Sequence, residues 1–385
     1  MSTDRSEPHE ERSAGVEPEE RNADPEKTGV EPEDTSAKIS QPFDPNKIHV
    51  RLWTPTIDRL MRLIKDGEID LAPEFQRKES IWNEGDQSRL VESILIRLPL
   101  PAFFIDGIDE DRFAVIDGIQ RLTTLKRFIN DGTLRLTGLD FLKDLEGKTF
   151  SELPRTLQRR IEETMATVNI IDKGTPDDAK LHLFKRINTR GRPLTAQEIR
   201  HAINPGPARG FLKDLAESED FRTATVGSIN PDRMHDRECA LRFVAFVLMP
   251  PDRYQAQFDS FLNQAMRALN SMTPDEREAL ARRFQRAMRA ATAILGNKAF
   301  RKLTPDRRGP INKALFEAWS VNLDACSDEQ LETLYERRDE LVKAFMHLLK
   351  SRPDFELALS QGTGDRSKVL LRFEEIGKLI QRVIS

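Results

Sequence analysis

Cysteine and histidine are scarce in this chain of 385 residues. It has 2 cysteines and 6 histidines. The two cysteines, Cys239 and Cys326, are too far apart to form a CxxC or Cys/His metal-binding spacing, so we predict neither a disulfide framework nor a zinc site. No run approaches the ~18 apolar residues that a membrane-spanning helix needs, and the N-terminal region is polar and acidic. These absences predict a soluble protein of the reducing cytoplasm with no membrane partner.

The formal net charge of −4 is unevenly distributed along the chain. Residues 1–40 contain 12 acidic and 5 basic residues, whereas residues 41–385 contain 52 acidic and 55 basic residues. The first stretch has almost no apolar side chains and repeats Gly-Val-Glu-Pro-Glu at residues 15–19 and 29–33. We predict a disordered acidic tail over residues 1–41. A solubilising tail is the simpler interpretation, and a tail that imitates nucleic acid and shields a basic groove is the alternative.

Apolar spacing divides the rest of the chain into two parts. Up to about residue 205, short apolar runs typical of strands alternate with amphipathic helices, whereas the later pattern is almost wholly helical. We predict an α+β fold, in which a mixed α/β domain over residues 42–205 is followed by a mostly helical domain over residues 206–385.

The most informative segment is residues 112–124, which read RFAVIDGIQRLTT. An apolar run that predicts a buried strand ends at Asp117 and Gly118, and apolar residues then follow at helical spacing. A helix N-terminus offers unpaired N–H groups and a partial positive charge, which together stabilise a phosphate. Gly118 allows close approach, Arg121 can bind phosphate oxygens, and Asp117 can hold a metal ion or polarise a hydroxyl. The alternative is that Asp117 caps the helix and Arg121 is a solvated surface residue.

Three motifs occur in an order that resembles a known family. They are FQR at residues 75–77 followed by Trp82, DGIQRLTTL at residues 117–125, and FKRIN at residues 184–188 with Gly191, Leu194 and Glu198. This order is similar to that of domain of unknown function 262, the N-terminal domain of GmrSD-type modification-dependent restriction enzymes in the ParB/sulfiredoxin-like superfamily. The resemblance covers roughly residues 46–205 and implies a ParB/sulfiredoxin-like α/β fold for that stretch.

The resemblance also implies a nucleoside triphosphate (NTP) site centred on the DGxQR turn, with NTP hydrolysis coupled to DNA restriction. The catalytic residues would be Asp117, Gln120 and Arg121, and Asp117 would also hold Mg²⁺. Where the family commonly has Gln-Gln before the arginine, this chain has Ile119 in the first position, which makes the tip of the turn less polar. The nucleotide-binding residues implied are Gln76, Arg77, Gly118, Arg186 and Asn188.

The first and third motifs also have structural interpretations. Arg77 lies in a predicted loop that could fold over the turn and supply a second guanidinium to the phosphates, and its structural alternative is an ion pair with Glu74 or Glu79. Trp82 is expected to pack in the core, and stacking on a base is its alternative role. Arg186 and Asn188 lie near the end of a predicted helix, which Asn188 could simply cap.

Restriction enzymes of this type combine the domain, in the same or a partner chain, with an HNH-type nuclease. Such a nuclease needs a histidine general base and metal-binding His and Asn residues close together. The histidines of this chain are isolated, so we expect no nuclease activity from it alone and a separate nuclease subunit as a partner. The histidines are His9, His49, His182, His201, His235 and His347.

Two basic runs predict contact with DNA phosphates. Basic runs are usually solvated faces. These two therefore predict no more than non-specific DNA binding, beside a modified base. One run lies within residues 182–201 and includes Lys185, Arg186, Arg190, Arg192 and Arg200, and the other, within residues 296–313, includes Lys298, Arg301, Lys302, Arg307, Arg308 and Lys313.

Three functions remain open from the sequence. The first is an NTP-binding and NTP-hydrolysing DNA-sensing subunit of a prokaryotic restriction or anti-phage defence system. The second is a non-catalytic, nucleotide-dependent switch or clamp, and the third is a small-molecule phosphotransferase. Multiple-turnover phosphate release separates the first from the second, and an acceptor-dependent product identifies the third.

Overall fold

A mixed five-stranded sheet lies at the centre of the N-terminal part of the protein. The computed structural model describes residues 28–33, 45–71, 82–107, 112–187, 194–303 and 309–385. The strands are β1 (Val50–Trp53), β2 (Ile69–Asp70), β3 (Phe103–Gly107), β4 (Phe113–Asp117) and β5 (Val168–Ile171), in the spatial order β1-β5-β3-β4-β2.

Strand directions decide which chain segments meet at the edge of the sheet that carries Asp117. β3 and β4 are antiparallel, with Phe104 opposite Asp117. β2 runs parallel to β4, β5 runs parallel to β3, and β1 is antiparallel to β5. β4 therefore ends at the edge where β3 and β5 begin, and β2, whose Asp70 lies opposite Ala114, runs toward that edge.

Two helices of the N-terminal part begin at identifiable capping residues. The Thr56 hydroxyl accepts a hydrogen bond from the N–H of Arg59 and begins α1 (Ile57–Lys65), and Asn83 caps α2 (Glu84–Leu95) in the same way. The short helix α3 (Ile119–Leu125) continues directly into a π-helical turn, Lys126–Asn130. The helices of this part are α1 (Ile57–Lys65), α2 (Glu84–Leu95), α3 (Ile119–Leu125), α4 (Arg155–Glu162), α5 (Asp177–Ile187) and α6 (Ala196–Ile203).

The C-terminal part is helical and has its own apolar core. Aromatic side chains such as Phe243, Phe284 and Trp319 are fully buried in it. Helix α6 contacts β4 as well as the helices His235–Leu248 and Phe258–Ser271, so it links the two parts. The helices are α7 (Pro207–Glu217), α8 (Glu219–Thr225), α9 (His235–Leu248), α10 (Phe258–Ser271), α11 (Pro274–Leu295), α12 (Lys313–Asp324), α13 (Asp328–Glu336), α14 (Arg338–Ser351), α15 (Pro353–Ala358) and α16 (Arg366–Ile384).

Residues 28–33 of the acidic N-terminal stretch pack against this helical part. Val30 is buried and pairs with Ile311 in a parallel bridge, and the carboxylate of Glu33 contacts the buried Arg242. The expectation of disorder does not hold for these six residues, because Val30 is buried and the carboxylates of Glu31 and Glu33 are both hydrogen-bonded.

The predicted α+β architecture, with a mixed sheet near the N-terminus and a mostly helical C-terminal region, is confirmed. One detail differs: the apolar spacing over residues 328–349 predicts one helix, but Arg337 separates α13 from α14. None of the helices in the described ranges combines the length and the apolar character that a bilayer crossing requires.

Candidate functional site

Residues 117–121 form the strand, tight turn and helix start that the sequence predicts. β4 ends at Asp117, Gly118 has a φ of 95°, and α3 begins at Ile119. A Cβ atom at position 118 would lie 2.3 Å from Cδ1 of Phe103 on β3. Both the backbone conformation and the Phe103 ring therefore require glycine here. Because glycine has no side chain, it leaves the first N–H groups of α3 without a side-chain cap.

Arg121 points back beneath the turn. Its guanidinium donates to the carbonyl oxygens of Pro101 and Ala102, the latter at 3.2 Å, and to Oδ2 of Asp117 at 3.0 Å. It also lies 4.5 Å from the centroid of the Phe103 ring, which adds a cation–π contact. Only 9% of Arg121 is exposed. Arg121 therefore braces the turn against the start of β3, and the alternative of a solvated surface arginine is wrong.

The two members of this ion pair differ in their exposure. The side chain of Asp117 is 32% exposed and that of Arg121 is 11% exposed. Burial lowers the pKa of the Arg121 guanidinium, and the Asp117 carboxylate opposes that shift. Oδ1 of Asp117 accepts no hydrogen bond from the described residues, since Arg121 binds Oδ2. That oxygen is the acidic group that this turn can offer to a metal ion or a water molecule.

Gln120 joins the turn to the preceding loop. Its Oε1 accepts a hydrogen bond from the backbone N–H of Trp82 at 3.4 Å, and Nε2 of Gln87 donates to the Trp82 carbonyl oxygen at 2.6 Å. Trp82 is half-buried and packs against the apolar core, which agrees with its expected structural role. Nε2 of Gln120 has no hydrogen-bond partner within the described ranges, so it can donate to a ligand.

Gln76 and Arg77 lie outside the described residues. On their N-terminal side, β2 runs parallel to β4 toward the sheet edge that carries Asp117, with Asp70 opposite Ala114. On their C-terminal side, the backbone N–H of Trp82 donates to Oε1 of Gln120. The assignment of Gln76 and Arg77 to the site stays a prediction.

The third motif is only partly described. Phe184 is fully buried, Arg186 is exposed in the last turn of α5, and Asn188 lies outside the described residues. In the part of the chain that the structure covers, no hydrogen bond or ion pair joins Arg186 to residues 117–121. The roles assigned to Arg186 and Asn188 also stay predictions.

Sequence reasoning missed a buried ion pair between β3 and α5. Nζ of Lys180 lies 2.6 Å from Oδ1 of Asp106, and both side chains are buried. Burial raises the pKa of Asp106, and Lys180 opposes that shift. Asp106 pairs with Ala114, away from the Asp117 end of β4. The pair therefore fixes α5 to the sheet and does not belong to the candidate site; an aspartate within the apolar run FFIDG was its only signal in the sequence.

Several side chains of the two basic runs are directed inward. Arg200 is buried and donates to Oδ1 of Asp259 at 2.6 Å. Lys313 is buried against Glu238, with Nζ 2.9 Å from Oε2. Arg301 is also buried and donates to backbone carbonyl oxygens. The run within residues 296–313 is therefore not the uniformly solvated basic face that its composition suggests.

The turn at residues 117–121 has a single carboxylate, that of Asp117, which is fewer ligands than a protein-only metal site uses. Among the described residues, no group of three or more His, Cys, Asp or Glu side chains is placed to hold a metal ion. Mg²⁺ in nucleotide sites uses one or two carboxylates, because phosphate oxygens and waters complete its octahedral shell. The single carboxylate of Asp117, beside an uncapped helix start, fits that requirement.

Comparison with known proteins identifies the N-terminal part. Residues 58–204 match the family model described as the GmrSD restriction endonuclease, N-terminal domain. The matched stretch begins in α1, ends just after α6, and contains all three motifs, so the GmrSD-type N-terminal domain expected from the sequence is confirmed there. No match was found among curated proteins or solved structures.

Proposed function

We propose that this chain is a nucleotide-binding component of a restriction or defence system and that an NTP binds with Mg²⁺ at residues 117–121. The match of residues 58–204 to the N-terminal domain of the GmrSD restriction endonuclease supports this class of function. The observation that carries the proposal is the DGIQR turn within the matched residues, where Gly118 leaves the start of α3 uncapped beside an accessible carboxylate oxygen.

Each residue of the turn has a distinct role in this proposal. The backbone N–H groups of Ile119 and Gln120, together with Nε2 of Gln120, donate to phosphate oxygens. Oδ1 of Asp117 holds the metal ion, which supplies neutralisation of phosphate charge when bound. Arg121 positions the turn from beneath, and the guanidinium that reaches the phosphates comes from Arg77 in the adjoining loop. Arg186 and Asn188 complete the site from the end of α5.

Calorimetric titration of the full chain with each of four Mg²⁺–NTPs tests this site. One NTP is expected to bind, and Gln120→Ala or Arg77→Ala should weaken its binding about ten- to hundredfold, because each removes a hydrogen bond to phosphate. Gln264→Ala, which changes an exposed glutamine of α10, is the matched control and should bind as the wild type does. The site assignment fails if no NTP binds, or if both Gln120→Ala and Arg77→Ala retain full affinity.

We further propose that the bound NTP is hydrolysed in response to DNA and that cleavage belongs to a separate nuclease subunit. The exposed Arg186 and the neighbouring Lys185, Arg190 and Arg192 are the DNA-contacting residues of this proposal. Replacing the last three by Ala should weaken DNA binding and reduce its salt dependence by roughly one unit of slope for each DNA phosphate that is no longer neutralised.

Phosphate-release assays separate this function from its alternatives. Multiple turnovers stimulated by DNA are expected from a sensor, whereas single-site binding without turnover indicates a nucleotide-dependent switch or clamp. Absence of DNA binding by the full chain, with and without NTP, together with transfer of phosphate to a small acceptor, would instead identify a phosphotransferase.

A further inference from the structure

The helical part of the protein binds residues 28–33 as a peptide ligand is bound. The N–H of Ile311 donates to the carbonyl oxygen of Gly29 at 2.9 Å, and the N–H of Glu31 donates to the carbonyl oxygen of Ile311 at 2.8 Å. The N–H of Asn230 donates to the carbonyl oxygen of Thr28 at 2.9 Å. These backbone contacts are those of a strand added beside an extended partner.

Four of the five residues in the Gly-Val-Glu-Pro-Glu sequence at 29–33 are recognised individually. Gly29 has a φ of +74°, and a Cβ atom there would lie 1.7 Å from the carbonyl oxygen of Ser228. Val30 is buried in the helical core. Oε2 of Glu31 accepts from Nδ2 of Asn312 at 2.7 Å, and the exposed Pro32 follows it. The groove therefore selects a glycine, a small apolar residue and a glutamate in succession.

The Glu33 carboxylate occupies the most enclosed part of this groove. It accepts hydrogen bonds from Nη1 and Nη2 of Arg242, at 3.0 and 2.5 Å. The Thr363 hydroxyl also donates to it, at 2.5 Å. Burial raises the pKa of Glu33, but Arg242 outweighs this effect and holds the pKa below its ordinary value. A small cavity adjoins the carboxylate, and its charged lining residues are Glu33, Arg200, Glu238, Arg242, Asp259 and Lys313.

The groove suits a carboxylate ligand that can leave and return. Without Glu33, Arg242 still contacts Glu238 and Glu317. Lys313 still contacts Glu238, and Arg372 still contacts Glu317. Among these five groups, three buried cations then face two buried carboxylates, and the adjoining Arg200 is paired with Asp259. The vacated groove therefore carries one excess positive charge in this set, which favours an anionic peptide.

We propose that this groove is a binding site for the Gly-Val-Glu-Pro-Glu sequence and that both copies of it in the chain, residues 15–19 and 29–33, are alternative ligands. Residues 15–19 lie outside the described ranges, but they repeat each of the four recognised residues in the same order. The copies differ at the preceding residue, where Ala14 replaces Thr28. The backbone carbonyl that Asn230 binds is available from either residue.

Tether length sets the expected competition between the two copies. The stretch that links residues 15–19 to β1 is roughly twice as long as the one that follows residues 29–33. For a tethered ligand, doubling the tether lowers its effective concentration by about threefold. The second copy therefore occupies the groove in most molecules, and the first replaces it readily when the second is disabled.

Amide hydrogen exchange, measured in the full chain and in matched glycine variants, tests whether one copy replaces the other in the groove. The N–H groups of Ile311 and Asn230 report on the groove, because the docked segment supplies their acceptors. Gly15→Ala alone should leave both amides protected. Gly29→Ala alone should leave them largely protected, within about tenfold of the wild type, because the first copy replaces the second. The double variant should lose this protection and exchange at least about tenfold faster than either single variant.

The result that would overturn the proposal is equal loss of protection in Gly29→Ala and in the double variant, which would show that residues 15–19 do not bind. Glu19→Gln and Glu33→Gln, singly and combined, give a second series that leaves glycine geometry intact. A synthetic peptide of residues 12–22, added to the full chain with both glycines replaced, should restore protection at Ile311 and Asn230. Failure of that peptide, with the variant still folded by circular dichroism, would also contradict the proposal.

Discussion

Two buried arginines, Arg121 in the α/β part and Arg242 in the helical part, have pKa values that their surroundings shift in opposite directions. Arg121 faces one partly exposed carboxylate and two backbone carbonyl oxygens, and burial lowers its pKa. For Arg242, burial alone also lowers the pKa, but Glu33, Glu238 and Glu317 outweigh it and raise the pKa well above its ordinary value.

The difference separates a charge cluster that residues of this chain complete from the turn at which we propose that a nucleotide binds. The cluster around Arg242 is fully enclosed, and its cations and carboxylates compensate one another. At the turn, Arg121 is enclosed, whereas Oδ1 of Asp117 and the first N–H groups of α3 have no hydrogen-bond partner among the described residues. Burial of an arginine therefore does not by itself identify a nucleotide site.

The largest expected effect follows from replacing Arg242. Arg242→Ala removes a cation that contacts three buried carboxylates and leaves Glu33 without its ion-pair partner, so the free energy of unfolding should fall by about 3–5 kcal/mol. Urea denaturation measures this loss. Arg282→Ala, which breaks an ion pair between two exposed side chains of α11, should leave the denaturation midpoint unchanged. Similar midpoints for the two variants would contradict the structural role of the cluster.

Replacing Arg121 should have a smaller effect on stability. Arg121→Ala removes a charge-assisted bond and two bonds to carbonyl oxygens, for a loss of roughly 2–3 kcal/mol in the free energy of unfolding. Arg121→Lys should recover little of it, because an ammonium lacks the planar fork that reaches these acceptors together. Arg159→Ala, in an exposed pair with Glu163, is the control. Wild-type stability of Arg121→Ala would refute its role as a brace.

Two buried groups at the junction of the parts should give opposite pH dependences of stability. Burial, with Arg209 and Arg237, lowers the pKa of His201 to about 3, whereas burial raises the pKa of Asp236 to about 6. On acidification, the His201 imidazole becomes protonated near pH 6.5 in the unfolded chain but stays neutral in the folded protein. The free energy of unfolding should therefore fall by about 2 kcal/mol between pH 6.5 and 5. Asp236 acts in the opposite sense, because the folded protein takes up that proton at the higher pH.

Denaturation of His201→Gln and Asp236→Asn at several pH values measures the two contributions. Relative to the wild type, His201→Gln should become more stable as the pH falls from 6.5 to 5, and Asp236→Asn should become less stable as it falls from 6 to 4. If the free energy of unfolding changed with pH equally in both variants and the wild type, neither pKa would be shifted as described.

Local patterns in the sequence predicted much of the α/β part. The apolar run before Asp117 and the glycine at 118 predict β4, the turn and the start of α3, since strand burial and positive φ leave direct signals. β2 was not predicted, because its two residues, Ile69 and Asp70, form a strand only through pairing with β4. The break at Arg337 has no proline or glycine to mark it.

The orientation of side chains at the site could be predicted less well. Arg121 was identified, but its acceptors at Pro101 and Ala102 come from the segment before β3, and sequence spacing does not reveal that contact. The docking of Glu33 on Arg242 joins residues 209 positions apart. The repeated pentapeptide was visible as a pattern, but its groove depends on several helices that only the folded chain brings together.

Hydrogen exchange followed by NMR, with and without the Mg²⁺–NTP that binds, tests the central claim most directly. We predict slower exchange at the amides of Ile119, Gln120 and Arg121, because phosphate oxygens would accept from the first turn of α3. Amides near Arg242 should be unchanged. Nucleotide binding that leaves residues 119–121 unprotected, or that protects only the helical part, would contradict the assignment of the nucleotide site to this turn.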